Sequence, residues 1–265
     1  MGAVPRAGPG ERPREGEAPE ESPADGRPEG VTRRHRTRPP AVPTVALSDA
    51  AAREVVRRWT TEWQTFTGLR ASVDLTVHSS KGDDRASALL LVSPTALRLE
   101  VATPFGFPAL VATAAPDRIV VFRPFERRAL TATSSPEAVQ RWLGVPIDPE
   151  ALIGLLVGHV PGPDPDPVWT EGESDPHLVY ERRGVRHRVW VTAAGLPARL
   201  RVDRQPGFTA TFDWTVDGHL QRLRVDVPDR ESVLTLRYIS AEPAAPPPEA
   251  FVLTLPPDIK IDRLD

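Results

Sequence analysis

Residues 208–216 read FTATFDWTV, and the reading of this stretch decides the fold. Phe208, Ala210, Phe212, Trp214 and Val216 fall on one side of an extended chain, and Thr209, Thr211, Asp213 and Thr215 on the other. Successive side chains of a strand point to opposite faces, so this is a strand with one dry and one wet face. The pattern recurs upstream in SVDLTVH (72–78), ASALLLV (86–92), ALRLEVATPFGFPALVAT (96–113), DRIVVF (117–122), RRALTAT (127–133), HLVYERR (177–183), RHRVWVT (186–192) and ARLRVDR (198–204). Downstream it continues in LQRLRVDV (220–227), SVLTLRYI (232–239) and FVLTL (251–255). Compact turn signals such as SKGDD (80–84), RRGV (182–185), AAGLP (193–197) and VDGH (216–219) separate them. The expectation is about eleven short strands, mostly antiparallel with one face dry. One sheet of that length curls, or closes towards a barrel.

Helical spacing interrupts this pattern in three places. In LSDAAAREVVRRWTTEWQTFTGL (47–69), Ala52, Val55, Val56, Trp59, Trp63 and Phe66 recur every three or four residues, Ser48 or Asp49 can cap, and Gly68 is a natural stop. Core packing is the plain reading of Val56 and Trp59. In SSPEAVQRWLG (134–144), Ser135 caps, Pro136 takes the first helical position and Gly144 ends the helix. In DPEALIGLLVG (148–158), Asp148, Pro149 and Gly158 play the same parts, with Leu152, Leu155 and Leu156 on one stripe. The fold class expected is α+β: a curled, incomplete antiparallel barrel with an N-terminal helix and two short lid helices on its concave face. Residues 1–44 are rich in Pro, Gly, Glu and Arg and lack aromatic residues; they read as a disordered tail ahead of one domain at 45–265. The arginines of TRRHRTRPP (32–40) read as a solvated linker, with contact to an anionic surface as the alternative.

Composition bounds the chemistry. With net charge −3 and pI about 6.1, nothing global points to nucleic acid. The chain has no cysteine, so thiolate catalysis and Cys-ligated metals are excluded. No nucleophile elbow, phosphate loop, dinucleotide fingerprint or zinc-protease motif occurs. The six histidines are scattered without ligand spacing, and Asp164 and Asp166 in DPDP read as a stiff connector. The expectation is a protein that is not an enzyme and uses no cofactor or metal. A curled sheet under helical lids leaves two possibilities, an interior filled by side chains or a cavity for an apolar ligand.

One turn stands out. PFGFP (104–108) places two of the chain's eight phenylalanines between strands, around a glycine that permits a tight turn. Leaving a Phe in water forgoes about 1.5–3 kcal/mol. A protruding tip recovers that from a membrane or a partner; a tip that folds back plugs the barrel end.

WQTFTGLRASVDLTV (63–77), LRLEVATPFGFPALV (97–111), LGVPIDPEALIGLLVGHVP (143–161) and GFTATFDWTVDGHLQRLRVDVPDRESVLTLRY (207–238), in that order, resemble the LolA/LolB lipoprotein-localisation superfamily, in particular its LolB-like outer-membrane members. The resemblance spans about residues 50–260. It implies a half-barrel whose cavity takes acyl chains of lipoproteins or lipids for transfer to, or insertion into, the bacterial outer membrane. The implied cavity residues are Val56, Trp59, Trp63, Leu75, Val77, Leu97, Leu99, Val101, Trp142, Leu152, Leu156, Phe212 and Trp214. The implied membrane-contact loop is Phe105, Gly106 and Phe107. The implied partners are an acylated lipoprotein or lipid, the inner leaflet of the outer membrane and a periplasmic LolA-like carrier. The implied place is the periplasmic face of the outer membrane, as a lipoprotein. Neither a signal peptide nor a lipid-modifiable Cys is visible in this chain, which leads to the expectation of a different gene start or reading frame, with a cytoplasmic protein as the alternative. The alternative function is an envelope lipoprotein acting as a structural or assembly module through protein–protein contacts.

Overall fold

The computed structural model describes residues 44–263 apart from 81, 104, 144, 146 and 164–167. The tail at 1–43, Pro104, Gly144, Asp164 and Asp166 therefore lie outside the described residues. Helix α1 (Asp49–Thr65) leads into six strands: β1 (Leu69–Ser79), β2 (Gly82–Val92), β3 (Leu97–Ala102), β4 (Pro108–Ala114), β5 (Arg118–Arg123) and β6 (Arg128–Thr133). Helices α2 (Pro136–Leu143) and α3 (Pro149–Leu156) follow. The second run of strands is β7 (Trp169–Glu171), β8 (His177–Arg182), β9 (Val185–Val191), β10 (Pro197–Asp203), β11 (Phe208–Trp214), β12 (Leu220–Val227) and β13 (Ser232–Pro243), with β14 (Lys260–Arg263) at the end.

All fourteen strands form one open, curled sheet in the order β14-β6-β5-β4-β3-β2-β1-β13-β12-β11-β10-β9-β8-β7. Two antiparallel meanders thus meet where β1 pairs with β13, joined by ten register pairs from Leu69↔Pro243 to His78↔Val233. Bulges at Ser72/Val73, Val101/Ala102 and Asp213/Trp214 bend the strands. The inner face carries Val73, Leu90, Leu97, Ala112, Val121, Leu178, Val189, Leu200, Phe212, Leu223 and Leu236, all buried, and the helices contribute Val56, Trp59, Val139, Leu152 and Leu155 to the same core. Ser48 caps α1 by accepting from the Ala51 amide, and Ser135 caps α2 by accepting from that of Ala138.

The expected curled, incomplete barrel with three covering helices is the observed fold, with differences of detail. Among the described residues the strands number fourteen and not about eleven; β7 and β14 are too short to show alternation. FVLTL (251–255) is not a strand: Phe251 closes a short 3-10 turn (Pro248–Phe251), and the segment crosses the outer face of the β3–β6 region. There Arg98 donates to the Ala250 carbonyl at 2.9 Å, Phe251 is buried, and β14 adds a parallel strand beside β6. Val216 does not continue the inward row of β11; Thr215 starts a turn closed by its bonds with Gly218 and His219, and Val216 is exposed. Asp148 makes no side-chain cap to α3; its carboxylate meets Arg183 at 3.3 Å.

Candidate functional site

At one end of the sheet, where β1 and β12 begin and β11 and β13 finish, a cavity of about 420 Å³ opens between α1, the end of α3 and the inner face. Helix α1 presents Trp59 and Trp63, with Phe66 just beyond it; α3 and its exit contribute Leu156, Val157, Gly158 and His159. The sheet supplies Leu69, Leu196, Pro197, Trp214, Leu220, Tyr238, Ala241 and Pro243. Rings dominate the wall. Trp63 stacks on Phe66 at 5.2 Å and on His159 at 4.6 Å, and Trp214 stacks on Phe212 at 6.3 Å.

Three polar ring ends in the wall are occupied by backbone. The Trp59 indole donates to the Gly195 carbonyl at 3.0 Å, the Trp214 indole to the Pro197 carbonyl at 2.6 Å, and the Tyr238 hydroxyl to the Leu156 carbonyl at 2.5 Å. Each bond fixes a ring edge in the wall and leaves an apolar face to the space. Burial pushes the Tyr238 phenol well above its usual range, so the wall stays neutral there. Burial, aided by Arg182, pushes His159 down to about 4, so its ring is neutral at pH 7. Gly158 makes the closest approach. It sits at φ +76 after α3, and a Cβ there would lie 2.2 Å from Cη2 of Trp214. Only glycine lets the α3 exit and the Trp214 ring share this wall.

The residues singled out from the sequence divide into three groups. Trp59, Trp63, Leu156 and Trp214 line the cavity. Val56, Leu97, Leu152 and Phe212 are buried in the packed core. Leu75, Val77, Leu99, Val101 and Trp142 are half-buried against that core. Of these, the strand residues share the inner face, on the part of β1 and β3 leading away from the cavity. Sequence reasoning missed Leu69, Leu220, Tyr238, Ala241 and His159. The inward parity of the β12 and β13 positions was the available signal, but parity does not tell a cavity wall from a filled core.

The turn between β3 and β4 lies at the opposite end of the sheet. Gly106 donates to the Thr103 carbonyl at 2.9 Å, Thr103 to the Phe107 carbonyl at 2.7 Å, and the Phe107 amide to the Thr103 hydroxyl at 3.2 Å. Gly106 adopts φ +83. This closed turn holds the rings of Phe105 and Phe107 in solvent rather than against the barrel end.

No family model and no curated protein matches the chain. Among solved structures it is similar to a DUF1329 family protein from Desulfovibrio piger, at 12% identity over 76% of this chain and 95% of that one, with a TM-score of 0.54. It is also similar to a LolA superfamily protein from Nitrosomonas europaea, at 13% identity over 78% of this chain and 99% of that one, with a TM-score of 0.49. A third is an outer membrane lipoprotein-sorting protein domain from Vibrio parahaemolyticus, at 9% identity over 75% and 94%, with a TM-score of 0.48. At such identity what is shared with the Desulfovibrio protein is the fold alone. The open, largely antiparallel half-barrel with helices on its concave face is the architecture that the sequence analysis anticipates.

Proposed function

We propose that the protein is a non-enzymatic carrier that holds an acyl chain of a lipid or lipoprotein in the cavity between α1, α3 and β11–β13. The observation that carries this reading is the 420 Å³ cavity itself, walled by Trp59, Trp63, Phe66 and Trp214, with the indole N–H groups of Trp59 and Trp214 turned into backbone. Its size falls within the roughly 300–1,000 Å³ of small-molecule sites. A largely apolar lining favours transfer of a chain out of water at about 0.8 kcal/mol per methylene. No bond need be made or broken for the chain to enter or leave.

In this reading Phe105 and Phe107 dock the protein on a membrane, the inner leaflet of the bacterial outer membrane being the place we propose, with a LolA-like carrier as donor. The cavity then faces away from the docked surface. From Leu69 to Val77 along β1 is about 26 Å at about 3.3 Å per residue. The half-buried Leu75, Val77, Leu99 and Val101 supply an apolar path along the inner face between the two ends.

The test is displacement of a neutral fluorescent probe, phenylnaphthylamine, by a long-chain monoacylglycerol. The protein is expected to bind the probe and release it to the lipid. Ala241→Trp, on an exposed residue of the rim, is expected to fill the cavity and lower probe binding at least tenfold with the melting temperature unchanged. Equal binding by this variant would place the lipid elsewhere and remove the assignment of the cavity.

A further inference from the structure

The cavity also carries information about the length and head group of its ligand. Resting on the carrier reading above, we infer that the site takes one chain of about 16 to 18 carbons with an uncharged or cationic head, and discriminates against a fatty-acid anion.

Length follows from volume. A cavity of about 150 Å³ holds the six carbons of benzene, or about 25 Å³ per carbon. The volume of about 420 Å³ therefore accommodates about 17 carbons, one chain and not three side by side.

Head-group preference follows from the charge at the wall. Among the described lining residues the one formal charge is the carboxylate of Glu62, on the last turns of α1. Arg58 lies 3.7 Å from it and offsets part of its charge, but it stands outside the lining, its guanidinium turned to the carbonyls of Ala194 at 3.2 Å and Gly195 at 2.7 Å. The turn that brings Gly218 and His219 to the wall also carries Asp217, exposed and acidic. The indole N–H groups of Trp59 and Trp214 and the Tyr238 hydroxyl are committed to backbone carbonyls. A carboxylate head is best held by a cation or by several directed donors. Here it meets the like charge of Glu62, and three of the wall's donors are already in use. A glycerol or other neutral head loses nothing, and an ammonium head gains Glu62 as a partner.

The test measures displacement of the same neutral probe at pH 8 by hexadecanoate, glycerol monohexadecanoate and hexadecylamine, all below their aggregation concentrations. The fatty acid is expected to bind about two- to fivefold more weakly than the monoacylglycerol, the upper figure being the effect of one like charge at about 4 Å in water and the lower one allowing for the offset from Arg58. Glu62→Lys is expected to reverse that order; because the comparison is a ratio within one protein, any loss of folded material cancels. In a monoacylglycerol series from 12 to 22 carbons, affinity should rise about fourfold per methylene and level off at 16 to 18. Equal affinity for acid and ester, a ratio unmoved by Glu62→Lys, or affinity still climbing at 22 carbons would each overturn the inference while leaving the carrier reading in place. Failure of all three lipids to displace the probe would overturn the carrier reading itself.

Discussion

Replacing both rings of the β3–β4 tip, Phe105→Ser with Phe107→Ser, separates membrane docking from folding. Phe105 is 86% exposed and Phe107 64%, so neither contributes much to the core. Full burial of a Phe side chain is worth about 1.5–3 kcal/mol, and scaled by these exposures the two rings gain together about 2.3 to 4.5 kcal/mol on entering an apolar phase. That corresponds to a factor of about 40 to 1,600 in the partition constant. Little of it is lost to ordering, because Thr103 already fixes the turn through three hydrogen bonds. Flotation with neutral phosphatidylcholine vesicles reads the partition constant directly. The double variant should lose at least 30-fold in vesicle binding, while thermal unfolding stays within the roughly 0.5 kcal/mol typical of surface substitutions. Val216→Ser, at the cavity end, serves as the control and should leave flotation unchanged. A loss smaller than threefold would refute the docking role. Loss of a protein partner in place of vesicle binding would put the assembly-module function in its stead.

Gly158→Ala places a methyl 2.2 Å from the Trp214 ring at a left-handed backbone position; with overpacking costing about 1–3 kcal/mol and the backbone about 1 kcal/mol more, chemical denaturation should show a loss of about 2 to 4 kcal/mol. His159 titrates near 4 in the folded chain and near 6.5 when unfolded, because burial disfavours its charged form. The unfolded chain therefore binds the extra proton between these values, and stability is complete above pH 6.5 and declines as pH falls towards 4, by on the order of 3 kcal/mol from this group. Urea unfolding of the protein and of His159→Phe between pH 4 and 8 should show a shallower acid slope for the variant; identical slopes would contradict the assignment. His187, also pushed down mainly by burial, adds to the slope in both proteins.

The alternation in FTATFDWTV placed Phe208, Ala210, Phe212 and Trp214 on the inner face because one side of β11 is dry and the other wet. Where both faces are covered, the same logic loses its signal. In DRIVVF, Ile119 and Val121 face the helices, while Val120 is buried on the opposite side, in the region that the C-terminal segment crosses. No alternation survives there, although the strand is real. FVLTL was misread for a related reason: its apolar residues serve to cover a sheet face, with Phe251 buried and Val252 exposed, rather than to pair within it. The parallel pairing of Ile261 with Ala129 joins residues more than a hundred positions apart and leaves no local trace. The exposed tip was legible as an anomaly, because two rings in a turn are costly unless something receives them. The cavity was legible only in part. Trp59 and Trp63 belong to a visible helical stripe, but a void depends on what Leu69, Leu156, Leu220 and Tyr238 leave unfilled when distant strands meet, and alternation is the same for a wall as for a core.

The most direct test of the account is tryptophan quenching by a chain brominated near its middle. Three of the six tryptophans, Trp59, Trp63 and Trp214, line the cavity. Saturation with a brominated monoacylglycerol should quench a large share of the emission at one chain per protein, and Trp63→Phe with Trp214→Phe should remove most of that quenching. Emission unchanged at saturating lipid, or quenching that survives the double substitution in full, would show that the chain does not enter between α1, α3 and the sheet.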